Sequence, residues 1–307
     1  MGRDIGTEIA GLRLQNPFIL AAGILGITGH SLRRVAEAGA GAVVTKSLGL
    51  EPRAGYPNPT IVEVQGGLLN AMGLPNPGID TLKEEVEEVK KAGVPVIASV
   101  FGCCGEDYAE AARKAEEAGA DAVELNVSCP HVKEVGAQIG QDPNLVAAVT
   151  ASAKQSVKLP IIVKLTPNIT SIAEIAKKAV EGGADAITAI NTVKAIAIDV
   201  DVQRPILAAG MGGLSGPAIK PIALRCVYEI HMAVDVPIIG CGGVTTWRDA
   251  VEFFLAGAGA VQVGTAIMYR DLDIFTELQI GLRRYLESHR CESVSQLIGL
   301  ACRDRVA

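Results

Sequence analysis

The sequence has no run of lysine and arginine, no cysteine pair spaced C-x-x-C, and no apolar stretch near the roughly 18 residues of a membrane span. Net charge is −6 over 307 residues, so nucleic acid and anionic membrane are excluded as expected partners. The polar start, Met-Gly-Arg-Asp-Ile-Gly-Thr-Glu, lacks the pattern of a secretory signal, and Gly6 stands where a myristoylation pattern needs Ser or Thr. Seven cysteines make an odd number in a long chain, so a disulfide framework is not expected and a reducing cytoplasm fits. The adjacent Cys103 and Cys104 have the wrong spacing for zinc or an iron–sulfur cluster, and no metal site is predicted. Cys226 and Cys241 read as small apolar core residues, and Cys103 and Cys104 are assigned the same role.

What the chain does have is a repeat. Four times a helix-like run ends in a Gly-Ala signal and leads into an apolar strand: AEAGAGAVVTKS (36–47), AEEAGADAVELNVSC (115–129), VEGGADAITAINT (180–192) and FLAGAGAVQVGTA (254–266). Glycine after a helix is a C-cap signal, and short Val/Ile/Ala runs read as strands buried on both faces. Counting through the chain predicts strands near 17–23, 41–47, 95–101, 122–128, 160–166, 186–192, 237–242 and 260–266. Helices are predicted near 30–38, 78–92, 105–118, 142–157, 171–182, 217–233, 246–256 and 272–288, with a last short helix in ESVSQLIG. Eight strand–helix units imply an α/β protein of the (β/α)8 TIM-barrel class, read as a single domain over 1–307. A short N-terminal β-hairpin within Asp4–Asn16 is expected to plug the barrel bottom. A doubly wound sheet would want a Gly-rich turn after the first strand, and the Gly210-x-Gly212-x-x-Ser215 fragment follows no strand directly.

The connections are unequal. Helix-to-strand loops take a few residues, whereas the strand-to-helix loops 48–77, 129–141 and 193–216 are long. These long loops lie on the C-terminal face, where barrel active sites are built. Polar groups end the strands there: Lys46, Asn126, Lys164, Asn191 and Thr192. Lysine and asparagine inside apolar strands cost free energy to bury unless paired. Two lysines and two asparagines at one rim therefore point to a ligand rather than to an isolated ion pair. Glycine-rich ends follow in GGLSGPAIKP (212–221), GCGGV (240–244) and VGTA (263–266). Gly216 and Pro217 open a helix, where free N–H groups face an anion, so a phosphate is expected between these ends. Residues 121–131, DAVELNVSCPH, run from a buried strand into the long loop carrying Cys129.

At these motifs the sequence resembles a family. NVSCPHVK (126–133), TKS (45–47), NAMGLPN (70–76), VKLTPN (163–168), AINT (189–192), GGLSGPAIKPIALR (212–225), GCGGV and VGTA are similar to dihydroorotate dehydrogenases. The similarity is greatest to class 1 and, within it, to the NAD-linked type 1B catalytic subunit, and it spans about Ile9 to Ala266. The resemblance implies FMN, with its phosphate at Gly216, Gly242, Gly243, Gly264 and Thr265. It places Ala22, Lys46, Ser47, Asn126, Lys164 and Ile190 against the ring system or ribityl chain. The substrate, dihydroorotate, would meet Lys46, the loop Asn70, Ala71, Met72, Gly73 and Leu74, then Asn126, Asn191 and Thr192. Cys129 would be the base, ahead of His131, which stands where the family commonly has asparagine. Ala22 stands where relatives often have serine, so a backbone contact remains and a hydroxyl contact does not.

The implied reaction is oxidation of dihydroorotate to orotate in de novo pyrimidine biosynthesis. C5 loses a proton to Cys129 and C6 a hydride to FMN. Electrons would reach NAD through a second subunit carrying FAD and a 2Fe-2S cluster, in a heterotetramer built on a catalytic homodimer. Alternatives carried by the sequence are a fumarate-linked type 1A-like enzyme, a dihydropyrimidine dehydrogenase-like reductase, a Schiff-base aldolase barrel using Lys164 or Lys46, and a non-catalytic FMN- or phosphate-binding barrel.

Overall fold

The computed structural model describes residues 3–128 and 139–303. A hairpin of β1 (Thr7–Ile9) and β2 (Leu12–Leu14) comes first, then barrel strand β3 (Phe18–Leu20), helix α1 (Gly29–Glu37) and β4 (Ala42–Val44). The loop after β4 carries β5 (Ile61–Val64) and β6 (Gly67–Asn70) before α2 (Leu82–Lys90). The order continues β7 (Val96–Val100), α3 (Gly105–Glu117), β8 (Ala122–Asn126), α4 (Pro143–Ser156), β9 (Ile161–Leu165), α5 (Ile172–Glu181) and β10 (Ala186–Ala189). A second long excursion holds β11 (Val193–Ile196), β12 (Ile198–Asp199), β13 (Arg204–Pro205) and β14 (Met211–Ser215). Helix α6 (Lys220–His231), β15 (Ile238–Cys241), α7 (Trp247–Leu255), β16 (Ala260–Val263), α8 (Ala266–Arg270) and α9 (Asp273–Ser288) close the chain.

Eight strands, β10-β15-β16-β3-β4-β7-β8-β9, form a closed parallel barrel, as the repeat predicts. Each of the four Gly-Ala signals places a glycine just past a helix at positive φ (Gly39 109°, Gly119 85°, Gly183 97°, Gly257 118°). That left-handed turn is what lets a helix end and the chain drop into the next strand within a few residues. Other helix starts are fixed by side chains. Asp142 accepts hydrogen bonds from the N–H groups of Asn144 and Leu145 ahead of α4, and Thr28 accepts from Ser31 N ahead of α1.

Strand alternation sorts the core into two sets. Outward residues such as Val123, Leu125, Val163 and Val261 pack on the helices. Inward residues Ile19, Ala42, Val44, Ile97, Ala122, Ile162, Ala186, Ile239 and Ala260 fill the barrel, and Ile9 and Leu14 of the hairpin pack against them from below. The hairpin is thus the expected plug. The last short helix expected in ESVSQLIG is present as a 3-10 turn (Val294–Gln296). The loops 48–77 and 193–216 are not structureless: β11-β14-β6-β5 form an antiparallel sheet over the C-terminal face, with Leu68 opposite Ser215 and Asn70 opposite Gly213. No helix among the described residues is long and apolar enough to cross a membrane.

Candidate active site

The same alternation that fills the barrel with alanine, valine and isoleucine places Ser99, Glu124, Lys164, Thr188 and Gln262 one layer higher. Above them opens a cavity of about 310 Å³, roofed by the four-stranded sheet. That volume is at the lower end for a small-molecule site. Lys46, Ser47, Asn126, Lys164 and Ile190 line it from the strand ends, with Ala22 beside them. Asn70 to Leu74 enter from the roof, and Asn191 and Thr192 from the end of β10. Gly216, Gly242, Gly243, Gly264 and Thr265 line its other end. All the sequence candidates inside the described residues therefore surround one cavity. Cys129 and His131 lie outside the described residues.

The asparagines form a connected rail. Asn191 Nδ2 donates to Asn126 Oδ1 at 3.2 Å, Asn126 Nδ2 donates to Ser47 Oγ at 3.1 Å, and Ser47 Oγ lies 2.8 Å from Ser99 Oγ. Tyr108 fixes the backbone beneath, its hydroxyl donating to Asn126 O at 2.9 Å. Asn70 Nδ2 donates to Gly213 O at 3.2 Å, which ties the roof sheet together at the cavity. Planar amides held this way present fixed donors and acceptors to a planar, amide-bearing ligand.

The two lysines differ. Lys46 is 8% exposed, and among the described residues no carboxylate lies within ion-pair distance. Burial holds its ammonium below the ordinary lysine value. A buried ammonium without a counter-ion is costly, and an anionic ligand would remove that cost. Lys164 has a counter-ion, Glu124 Oε1, at 3.4 Å.

The glycine end is a cradle at the N-terminus of a helix. Gly216 leads through a 3-10 turn (Pro217–Ile219) into α6. A Cβ at Gly243 would stand 2.9 Å from the Gly216 carbonyl, so the two loops touch through bare backbone. Thr265 Oγ1 donates to Ser215 Oγ at 2.8 Å, which adds two hydroxyls to the bare glycine backbone, while at the helix start Ala218 N donates to Gly66 O and Ile219 N to Gly216 O. Such an end suits a phosphate. Behind it, Asp249 ties the loop after β15 to α7. Its Oδ2 accepts from Thr245 N, Thr245 Oγ1, Thr246 N and Thr246 Oγ1 at 2.7–3.0 Å, and its Oδ1 accepts from Lys220 Nζ at 2.7 Å. Burial raises the Asp249 carboxyl, but Lys220 and the threonine donors outweigh it and hold the group below the usual aspartate range. A depressed folded value means stability that is present above the unfolded pKa of about 3.9 and lost as pH falls through the folded one. Asp249→Ala is expected to cost about 1–3 kcal/mol at pH 7, and the gap to the native protein should narrow in urea melts at pH 3.

Several residues at the site were given no role from sequence. Glu124, Gln262 and Thr188 are polar groups inside buried strands, and that signal was readable in AVELN, AVQVG and AITA. Ser215, Thr245 and Asp249 sit among the glycines, and TTWRD carries a capping-box pattern. Cys226 is buried as expected, but Cys241 is a correction: β15 turns it inward and it lines the cavity. Cys103 and Cys104 are also corrected, being exposed where α3 begins.

Comparison with known proteins agrees with this geometry. The family profile described as dihydroorotate dehydrogenase matches residues 5–286. The chain is 52% identical over 299 residues to the dihydroorotate dehydrogenase B (NAD(+)) catalytic subunit of Methanocella arvoryzae, covering 97% of this chain and 98% of that one. The protein of the same description from Pyrococcus furiosus is 52% identical over 298 residues, covering 97% and 99%. That from Methanothermobacter thermautotrophicus is 52% identical over 297 residues, covering 96% and 97%. With the profile spanning most of the barrel and relatives this similar over nearly their whole length, the chain belongs to the dihydroorotate dehydrogenase family.

Proposed function

We propose that the chain is a flavoenzyme that oxidises dihydroorotate to orotate in pyrimidine biosynthesis, as the catalytic subunit of an NAD-linked assembly. The observation that carries this reading is the pairing, in one cavity, of an amide rail from Asn191 through Asn126 to Ser47, with the buried Lys46 beside it, and a glycine cradle at a helix N-terminus. A carboxylate-bearing imide ring fits the first and a phosphate-bearing cofactor fits the second.

FMN is the flavin this arrangement suits. Gly216, Gly242, Gly243, Gly264 and Thr265 would hold its phosphate, and Ala22, Lys46, Ser47, Asn126, Lys164 and Ile190 its ring and ribityl chain. A bound flavin supplies the acceptor for the hydride that leaves C6. The chain's own groups do the rest. Lys46 pairs with the substrate carboxylate. Asn70, Asn126 and Asn191 orient the ring through complementary amide contacts, with Ala71 to Leu74 and Thr192 closing around it. Lys164 places positive charge where negative charge develops on the ring system. Cys129 takes the proton from C5.

Lys46→Met is expected to weaken orotate binding about tenfold to a hundredfold, since a charge-assisted hydrogen bond contributes about 1.5–3 kcal/mol. Orotate affinity of the native protein should fall as pH rises, at a pH below the ordinary lysine value of about 10.4, because burial lowers Lys46. Isothermal titration from pH 6 to 10 reads both effects.

The relatives are described as catalytic subunits linked to NAD(+), which supports a partner for this chain. The sequence holds no C-x-x-C pair and no dinucleotide fingerprint, so a partner carrying FAD and a 2Fe-2S cluster is the relay that fits, in a heterotetramer around a catalytic homodimer. The central test is reconstitution. The purified chain should be yellow with FMN and form orotate from dihydroorotate with an artificial acceptor. A colourless protein that takes up no FMN would overturn the reading, and co-purification from the source organism tests the partner.

A further inference from the structure

Glu124, Lys164, Thr188 and Gln262 come from four strands, β8, β9, β10 and β16, and meet directly beneath the cavity. Glu124 is 0% exposed and Lys164 5%. Two ions that deep each cost several kcal/mol of desolvation, and replacing such a pair by packed apolar side chains is often neutral or stabilising. Stability alone is therefore a weak reason for placing them there.

Their geometry is directed. Glu124 Oε2 accepts from Gln262 Nε2 at 2.6 Å and from Thr188 Oγ1 at 3.0 Å. Glu124 Oε1 accepts no hydrogen bond among the described residues and faces Lys164 Nζ at 3.4 Å as an ion contact. Gln262 Oε1 in turn accepts from Lys164 Nζ at 2.6 Å. One amide thus bridges carboxylate and ammonium, which fixes its flip: oxygen to lysine, nitrogen to glutamate. An ammonium has three N–H groups; one is donated to Gln262, the Glu124 carboxylate faces the group as an ion contact, and N–H capacity remains for the cavity that Lys164 lines.

Of the other groups facing Lys164, Cys241 alone helps hold its proton, and it ranks behind Glu124. Asn126 on β8 and Thr188 on β10 are uncharged, and Lys46 at the end of β4 lines the same cavity with a like charge. Burial pushes the Cys241 thiol of β15 up. For Lys164 itself burial is the largest effect and works toward losing the proton, and the Glu124 carboxylate, with a smaller contribution from Cys241, more than reverses it.

We propose that Glu124 and Gln262 are positioning residues for the redox step: they keep Lys164 an ammonium and aim one N–H at the cavity floor. The assignment rests on the reading of the cavity as a flavin site, where a fixed positive charge in the cavity lining would favour the electron-rich form of the bound cofactor. Without Glu124 that charge becomes dependent on pH.

Two measurements test this, and the first needs no cofactor. Competitive labelling with acetic anhydride, read by mass spectrometry at the Lys164 peptide, reports the fraction of free amine. In cofactor-free Glu124→Gln, labelling of Lys164 at pH 8 should rise at least tenfold over the native chain, and Gln262→Leu should shift it the same way by less. Unchanged or reduced labelling in the variants that melt cooperatively overturns the proposal, and Gln262→Leu alone decides if Glu124→Gln does not fold. The second measurement is sulfite binding to the FMN-loaded protein, which senses charge at the flavin. The dissociation constant of Glu124→Gln relative to native should rise at least tenfold between pH 6 and pH 9, equivalent to about 30 mV for a two-electron couple. A ratio that stays flat overturns the proposal. A native chain that takes up no FMN overturns the cofactor reading instead, and the labelling result then still decides whether Glu124 holds the proton on Lys164.

Discussion

Cys129→Ala should lower kcat for dihydroorotate oxidation by about 10²–10⁴, the usual contribution of a positioned general base, while FMN uptake stays at the native level. The base must reach C5 from the side opposite the hydride acceptor. Cys129 itself lies outside the described residues, but the chain leading to it is pinned at the cavity. Ser128 lines the cavity, its N–H donates to Asn126 Oδ1 at 3.2 Å, and its hydroxyl donates to Lys164 O at 3.0 Å. Ser128, the residue before Cys129 in the sequence, is thus tied to the amide rail. A free thiol ionises near about 8.5, so only a small thiolate fraction exists at neutral pH. The native rate should accordingly climb with pH until the thiol ionises. Cys129→Ser, whose hydroxyl ionises far higher, should be slow throughout and show its rise displaced upward. Rapid-mixing measurement of flavin reduction by dihydroorotate, across pH 6 to 10, separates this step from reoxidation. Reduction at the native rate in Cys129→Ala would remove the residue from the mechanism.

How much of this was legible depends on the range of the interaction. The barrel was readable because each helix-to-strand unit is local: a glycine at the left-handed position, as at Gly119 and Gly183, ends a helix and starts a buried strand within a few residues. The rim lysines and asparagines were readable for the same reason, since a polar residue ending an apolar strand is an anomaly visible in one segment. The roof sheet was not. Its strands β6 and β14 pair residues about 145 positions apart, as Leu68 with Ser215, and MGGLS has no alternating pattern to announce a strand. The Glu124–Gln262–Lys164 network falls between these cases. Each member is an oddity in its own strand, but the partnership exists only once the closed barrel brings β8, β9 and β16 around one axis.

Among the cradle glycines, Gly243 is expected to be the least replaceable, with Gly243→Ala weakening FMN binding about a hundredfold, or about 2.7 kcal/mol. Its φ of 77° is a conformation that costs a side-chain-bearing residue about 1–2 kcal/mol. The added Cβ would also sit 2.7 Å from Lys220 Cβ and 2.9 Å from the Gly216 carbonyl. Neither neighbour can yield easily. Lys220 is held by Asp249 at 2.7 Å and Glu252 at 2.9 Å, and Gly216 is the residue from which the turn into α6 begins. Relief must come from moving the 242–246 loop away from the helix N-terminus, which separates the two halves of the proposed phosphate site. Gly264→Ala, on the same rim, provides the contrast. There the Cβ would meet Ala21 Cβ at 3.5 Å and Ile24 Cγ1 at 3.8 Å, which is ordinary packing. It should lose less than tenfold in affinity and melt near the native temperature. Fluorescence titration of the cofactor-free variants with FMN, beside thermal melts, distinguishes them. Equal losses at both positions would mean that the cradle depends on each glycine for bareness alone, and that the contact between the Gly216 and Gly243 loops is not what holds the phosphate end together.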